Sequence, residues 1–163
     1  MTKTAPLTVS TPTDRDAVIT RVVDAPRGMV FDAYTKPELV RRWLLGPPGW
    51  TMPVCEIDLR VGGRYRYEWR SADGQSMGMG GTFKEVVRPT RIVATQMFDQ
   101  DWTGGETIVS TDIVEKNGKS TITTTVRFAS REARDAALQT GMTTGMEAGY
   151  ERLEQLLEEI GHG

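Results

Sequence analysis

Apolar residues recur along this chain at two spacings, and the switch from one to the other outlines its organisation. In AVITRVVD, residues 17–24, they alternate as in a strand, which Ala25-Pro26 ends. Met29, Val30, Phe31, Ala33 and Tyr34 follow at helical spacing. Pro37 then suits the first turn of a second short helix, PELVRRWLL, which Gly46-Pro47-Pro48-Gly49 stops. From Val54 the period becomes two, and it stays so through VCEIDLR, GRYRYEW, SMGMGGTF, RIVATQMF, ETIVSTDIVE and KSTITTTVRF. Asn117-Gly118 marks a two-residue hairpin turn between the last two. Ser130 is placed to cap the final element, with Glu132 in its first turn, and from Met142 the positions Met146, Gly149, Tyr150, Leu153, Leu156, Leu157 and Ile160 make an amphipathic helical stripe.

The turns set the expected register. A two-residue Gly62-Gly63 turn would put Leu59 opposite Arg66 and mix the faces. A three-residue Val61-Gly62-Gly63 connection instead pairs Leu59 with Tyr65, Ile57 with Tyr67 and Cys55 with Trp69, and sets Asp58 against Arg66 on the wet face. The same reasoning at Ala72-Asp73-Gly74 pairs Trp69 with Met77, Tyr67 with Met79 and Tyr65 with Gly81, with Gly74 in the left-handed conformation. One strand, two small helices, a run of antiparallel strands and a closing helix make an α+β chain. A curved antiparallel sheet wraps the long C-terminal helix, a helix-grip arrangement. Residues 1–16 read as an N-terminal extension whose LTVS can add an edge strand, and residues 17–160 as a single domain.

The inner face of this sheet is unusual in what it carries. Met and aromatic residues facing a helix are also what plain core looks like, so the pattern alone leaves both readings open. Two features favour a cavity. Methionine moulds to varied partners, and Tyr and Trp bring polar handles into an apolar wall. Glycine supplies the second: Gly81 opposite Tyr65, and Gly141, Gly145 and Gly149 in the helix, remove side chains where large neighbours converge, leaving tight backbone contact or a void. A helix glycine costs roughly 1 kcal/mol against alanine, so three so close together need a packing or functional reason. Trp43, Trp50, Tyr65, Tyr67, Trp69, Met77, Met79, Phe83, Met97, Met142, Met146 and Tyr150 are accordingly expected to line or rim a cavity for a hydrophobic small molecule. Trp102, on the glycine-flanked DWTGGE loop, is expected to gate it.

Composition narrows the function further. Twenty Lys plus Arg stand against 22 Asp plus Glu, so there is no basic field to gather nucleic acid or anionic lipid. No apolar run approaches a membrane span, and MTKTAPLTVS lacks the apolar core of a secretory signal, so a cytoplasmic location is expected. Reactive groups are scarce. The one histidine, His162, reads as a solvated tail, and no CxxC, HExxH or paired histidine suggests a metal. Gly78, Gly80 and Gly81 lie within a strand and lack the lysine of a phosphate loop, and Cys55 sits among apolar-face residues as an inert thiol. Glu56 and Asp58 fall on the outer face, while Glu85 and Glu106 reach a cavity mouth only if a bulge or loop turns them inward. With no tuned acid or base, ligand binding is favoured over catalysis and no cofactor is implied.

FDAYTKPELVRRWLLGP, DLRVGGRYRYEW, GTFKEVVRPTRIV and GMEAGYERLEQLLE together resemble the START-like (SRPBCC) superfamily, in particular the group related to the activator of heat-shock-protein ATPase. The likeness runs from about residue 18 to residue 158 in conserved motif order. It implies a helix-grip fold and a range of roles: ligand binders, polyketide-cyclase-like enzymes, a resistance protein and co-chaperone domains. A hydrophobic small molecule and a chaperone ATPase are thus the two partner classes it implies. Lys36 departs from the family pattern, which often has an Asp before the proline, and so forgoes a capping side chain.

Overall fold

The computed structural model describes residues 6–45 and 48–162. Gly46 and Pro47 of the helix-stopping turn, and the side chain of His162, lie outside the described residues. The elements follow the order β1 (Thr8–Ser10), β2 (Asp16–Val23), α1 (Arg27–Thr35), α2 (Pro37–Trp43), β3 (Trp50–Ile57), β4 (Arg64–Ser71), β5 (Ser76–Val87), β6 (Arg91–Phe98), β7 (Thr107–Lys116), β8 (Lys119–Arg127), α3 (Arg131–Leu138) and α4 (Met142–His162). The strands form one eight-stranded sheet in the order β1-β2-β8-β7-β6-β5-β4-β3, with every neighbouring pair antiparallel. The chain therefore meanders from β3 to β8 and returns β8 to the side of β2, where Asp16 and Arg127 face each other and form an ion pair at 3.0 Å.

Local chemistry accounts for the helices. Pro37 starts α2 at its first turn, Glu38 sits beside the helix N-terminus and Arg41 and Arg42 beside its C-terminus, all complementing the helix dipole. Lys36 gives no side-chain cap, as its chemistry requires. Ser130 accepts a hydrogen bond from the Ala133 amide at 3.0 Å. The helix it caps is short, however: α3 ends at Leu138, and Gly141, at φ +86°, turns the chain into α4. The closing element is thus two helices, and Gly141 belongs to their junction rather than to a helical face.

The second hairpin has the expected register, Trp69 with Met77, Tyr67 with Met79 and Tyr65 with Gly81, and Gly74 lies at φ +89°. The first hairpin differs. Ile57 pairs with Tyr65 and Cys55 with Tyr67, a slip of two residues from the expected pairs of Leu59 with Tyr65, Ile57 with Tyr67 and Cys55 with Trp69. The physical reason is the loop. The Gly62 amide donates to the Phe83 carbonyl and the Phe83 amide to the Gly63 carbonyl, so both glycines pair towards β5 and the turn back to β3 needs more residues. Asp58 consequently meets Arg60 instead of Arg66, which lies opposite Glu56. An even slip preserves the faces, so Cys55 and Tyr67 still point inward together.

Solid core fills only part of the inner face. Ile19, Val23, Val30, Phe31, Ile113, Ile122 and Leu153 are wholly buried where β2, β7 and β8 meet α1 and the later turns of α4. Arg21, 4% exposed, ties β2 to α4 through Glu154 at 2.7 Å and Glu147 at 3.7 Å. The earlier turns of α4 face a different environment.

Candidate functional site

Between the first turns of α4 and strands β4 to β8 lies a cavity of about 660 Å³. Small-molecule sites typically run to roughly 300–1,000 Å³, so the space suits a guest of ordinary organic size. Its wall includes all four tyrosines and all four tryptophans of the chain: Tyr34, Tyr65, Tyr67, Tyr150, Trp43, Trp50, Trp69 and Trp102. Ring contacts run in series from Phe83 through Tyr65, Tyr67, Trp69 and Phe98 to Trp102, with centroid separations of 4.9–6.5 Å. Met77, Met79, Met142 and Met146 complete the apolar wall.

Most polar atoms in this wall are held by the protein. The Tyr65 hydroxyl donates to the Thr95 carbonyl at 2.7 Å, the Trp43 indole to the Ala33 carbonyl at 2.8 Å and the Trp69 indole to the Leu44 carbonyl at 2.7 Å. The Tyr150 and Thr124 hydroxyls lie 3.5 Å apart. Burial raises the pKa of Tyr34, Tyr65, Tyr67 and Tyr150 above the ordinary phenol value, because a phenolate would be poorly solvated there. Each remains a neutral phenol at physiological pH. Among the described residues that line the cavity there is no Asp, Glu, Lys, Arg, His or Cys.

Twelve of the thirteen residues singled out from sequence meet at this cavity, and Met97 does not. Along β6 the inward positions are Ile92, Ala94, Gln96 and Phe98, so Met97 points outward and is 38% exposed. It borders a separate polar recess of about 510 Å³ on the outer face, together with Glu56, Arg64, Arg66 and Glu106. Alternation along RIVATQMF would have identified Phe98 in its place. Glu106 lies in that outer recess, and Glu85, although a bulge falls between Phe83 and Glu85, meets Arg91 at 3.2 Å on the surface. Neither carboxylate lines the cavity. Cys55 is buried, and desolvation raises its thiol pKa. Among the described residues no group of three His, Cys, Asp or Glu is placed to hold a metal ion.

The glycines divide into two kinds. A side-chain carbon on Gly145 would meet nothing within 4 Å, so this position opens onto empty space. One on Gly81 would fall 1.8 Å from the Thr95 carbonyl oxygen, so this glycine permits close approach of two strands. Sequence reasoning also passed over the threonines Thr111 and Thr124 and the apolar Val109, Val126 and Phe128 of the wall. Their alternate spacing on β7 and β8 was the available signal.

Comparison with known proteins places this geometry in a family. The chain superposes on the crystal structure of a protein from Rhodobacter sphaeroides with a TM-score of 0.90 at 28% identity, covering 95% of this chain and 99% of that one. A Chromobacterium violaceum protein gives a TM-score of 0.75 at 27% identity, covering 88% and 97%. The solution structure of an AHSA1-like protein from Aeromonas hydrophila, 21% identical with a TM-score of 0.68 and coverage of 88% and 94%, shares the fold. No curated protein matches the chain. No helix of the described residues is long and apolar enough to cross a membrane. Residues 24–158 match the family described as activator of Hsp90 ATPase homolog 1-like protein, and the chain belongs to that family, within the START-like (SRPBCC) superfamily.

Proposed function

We propose that this protein binds a hydrophobic small molecule in the cavity beneath the first turns of α4. The observation that carries the reading is a space of about 660 Å³ walled by every tyrosine and tryptophan in the chain and, among the described residues, by no ionisable acid or base other than the phenols. Such a wall rewards apolar burial. A guest that loses about 200 Å² of apolar surface from water gains about 5 kcal/mol before the costs of association. The same wall disfavours an acid-base step, since the tyrosines are held neutral and a carboxylate or imidazole is missing from the lining.

The test is titration with N-phenyl-1-naphthylamine, an uncharged probe whose emission rises in apolar surroundings. Wild-type protein is expected to take it up saturably. Met79→Trp and Met146→Trp, folded by circular dichroism, are expected to bind it roughly tenfold or more weakly, as filling the site costs about 1–3 kcal/mol. Unaltered uptake in both folded variants would overturn the assignment of this cavity.

Family membership favours one second reading, contact with a chaperone ATPase. Stimulation of an Hsp90-type ATPase by wild type and by Met79→Trp alike would support that role independently of the cavity.

A further inference from the structure

The strand register sorts the cavity wall into levels along the strand direction, and polar groups fall on either side of an apolar level. Phe83 pairs with Ala94, Ala94 with Val109 and Val109 with Val126, and all four line the cavity. Two residues further along β7, Thr111 pairs with Ile92 and with Thr124, whose hydroxyl lies 3.5 Å from that of Tyr150. In the other direction along β6 comes Gln96, and beyond it Phe98, which pairs with Met79 as Met79 pairs with Tyr67. Gln96, Tyr67, Thr111, Thr124 and Tyr150 all belong to the lining. Thr107 is the partner of Gln96, so the levels of Gln96 and Thr111 are separated by about 13 Å of strand.

Polar atoms at both ends are open to the cavity. Among the described residues, the side chains of Gln96, Tyr67 and Thr111 make no hydrogen bond. A fully enclosed polar atom without a partner occurs in this wall only at the Trp102 indole nitrogen, so the polar atoms of those three side chains keep accessible surface. Tyr67 and Thr111 are 8% and 7% exposed and point to the inner face, so the surface they keep is cavity surface. Neighbouring hydroxyls at the Gln96 level are engaged instead: Tyr65 donates to the Thr95 carbonyl and Thr107 to the Gln96 carbonyl.

Polar groups left unpaired in an apolar wall cost free energy, which a guest that bonds to them recovers. A carboxamide and a hydroxyl each donate and accept, so a hydroxyl on the guest matches any of the three. A charged guest fares worse, since among the described lining residues no opposite charge meets it.

We infer that the guest is an uncharged, elongated molecule with an apolar middle and a hydroxyl towards each end, one served by Gln96 and Tyr67 and the other by Thr111 beside Thr124 and Tyr150. This rests on the binding function proposed above and adds the chemical class of the guest and its axis, along β6 and β7.

Three trans-stilbenes separate the possibilities, each competing with N-phenyl-1-naphthylamine at about pH 7, where phenols are neutral. One carries a para hydroxyl on each ring, the second is its isomer with both hydroxyls on one ring, and the third carries a para carboxylate on each ring. The two-ended diol is expected to bind wild type roughly threefold to tenfold more tightly than its isomer, the worth of the one hydrogen bond that the isomer leaves unmade. The dicarboxylate is expected to bind about tenfold or more weakly than the two-ended diol. Gln96→Leu and Thr111→Val keep side-chain size and remove the polar atoms, and each is expected to narrow the preference between the isomers to within about twofold. General damage to the pocket would weaken both isomers together and leave their ratio in place. Equal affinities of the isomers for wild type, a dicarboxylate as tight as the diol, or an undiminished preference in either folded variant would overturn the inference and leave the binding function standing. The wild-type comparisons decide the matter where a variant does not fold. Failure of wild type to take up N-phenyl-1-naphthylamine or any of the three would overturn the binding function itself.

Discussion

At the scale of single residues, space and hydrogen bonding make opposite predictions for chemically similar changes. Gly145→Ala enters open space in a helix and is expected to stabilise the protein by up to about 1 kcal/mol, read as a rise in the denaturation midpoint. Gly81→Ala drives a methyl group into the Thr95 carbonyl and is expected to cost about 3 kcal/mol or more. Tyr65→Phe leaves that carbonyl without its donor and is expected to cost about 1 kcal/mol. Tyr67 adds a pH dependence. Its folded pKa is raised by burial above the unfolded value, so its contribution is complete below about pH 10 and is lost as pH rises beyond that. Denaturation at about pH 8 and pH 11 should show a drop in stability that is smaller in Tyr67→Phe. Much of the site was legible at this scale because inward residues alternate along a strand. Met97 was misplaced because its chemistry was weighed above its parity, which belongs to Phe98. The unsatisfied indole of Trp102 was beyond sequence, since every tryptophan reads alike until its neighbours are known.

Elements show where turn chemistry decides register and where it does not. Ala72-Asp73-Gly74 closes a tight hairpin whose register follows from the left-handed Gly74. At Gly62-Gly63 the glycines serve pairing with β5 as well as the turn, and a local reading has no access to the third strand. The α3–α4 break escaped notice for a related reason: Gly141 fits a helical spacing, yet its φ of +86° ends one helix and begins the next. The clamp between β2 and α4 is likewise invisible in the chain's order. Arg21 is buried and held by Glu154 and Glu147, so Arg21→Ala is expected to destabilise by about 3 kcal/mol, checked by chemical denaturation. The pair of Arg66 with Asp99 is half exposed and worth about 1 kcal/mol at most, so Asp99→Asn should change stability little.

In the whole molecule, α4 divides the inner face. Its later turns, through Leu153, Leu156 and Leu157, close a solid core, and its earlier turns, through Met142, Gly145, Met146 and Gly149, bound the cavity. The amphipathic stripe predicted the helix and its inward face as far as Leu157, with Ile160 exposed beyond it, but one stripe cannot say which half packs and which half leaves room. Because all four tryptophans border the cavity, filling it should alter intrinsic fluorescence, and because its phenols are held neutral, affinity for an uncharged probe should stay constant from about pH 6 to pH 9. The most direct test of the central claim is native mass spectrometry of the protein incubated with N-phenyl-1-naphthylamine. A single bound equivalent on wild type, lost in folded Met79→Trp, is the predicted result. Wild type without the adduct, or a variant that carries it equally, would contradict a cavity that binds.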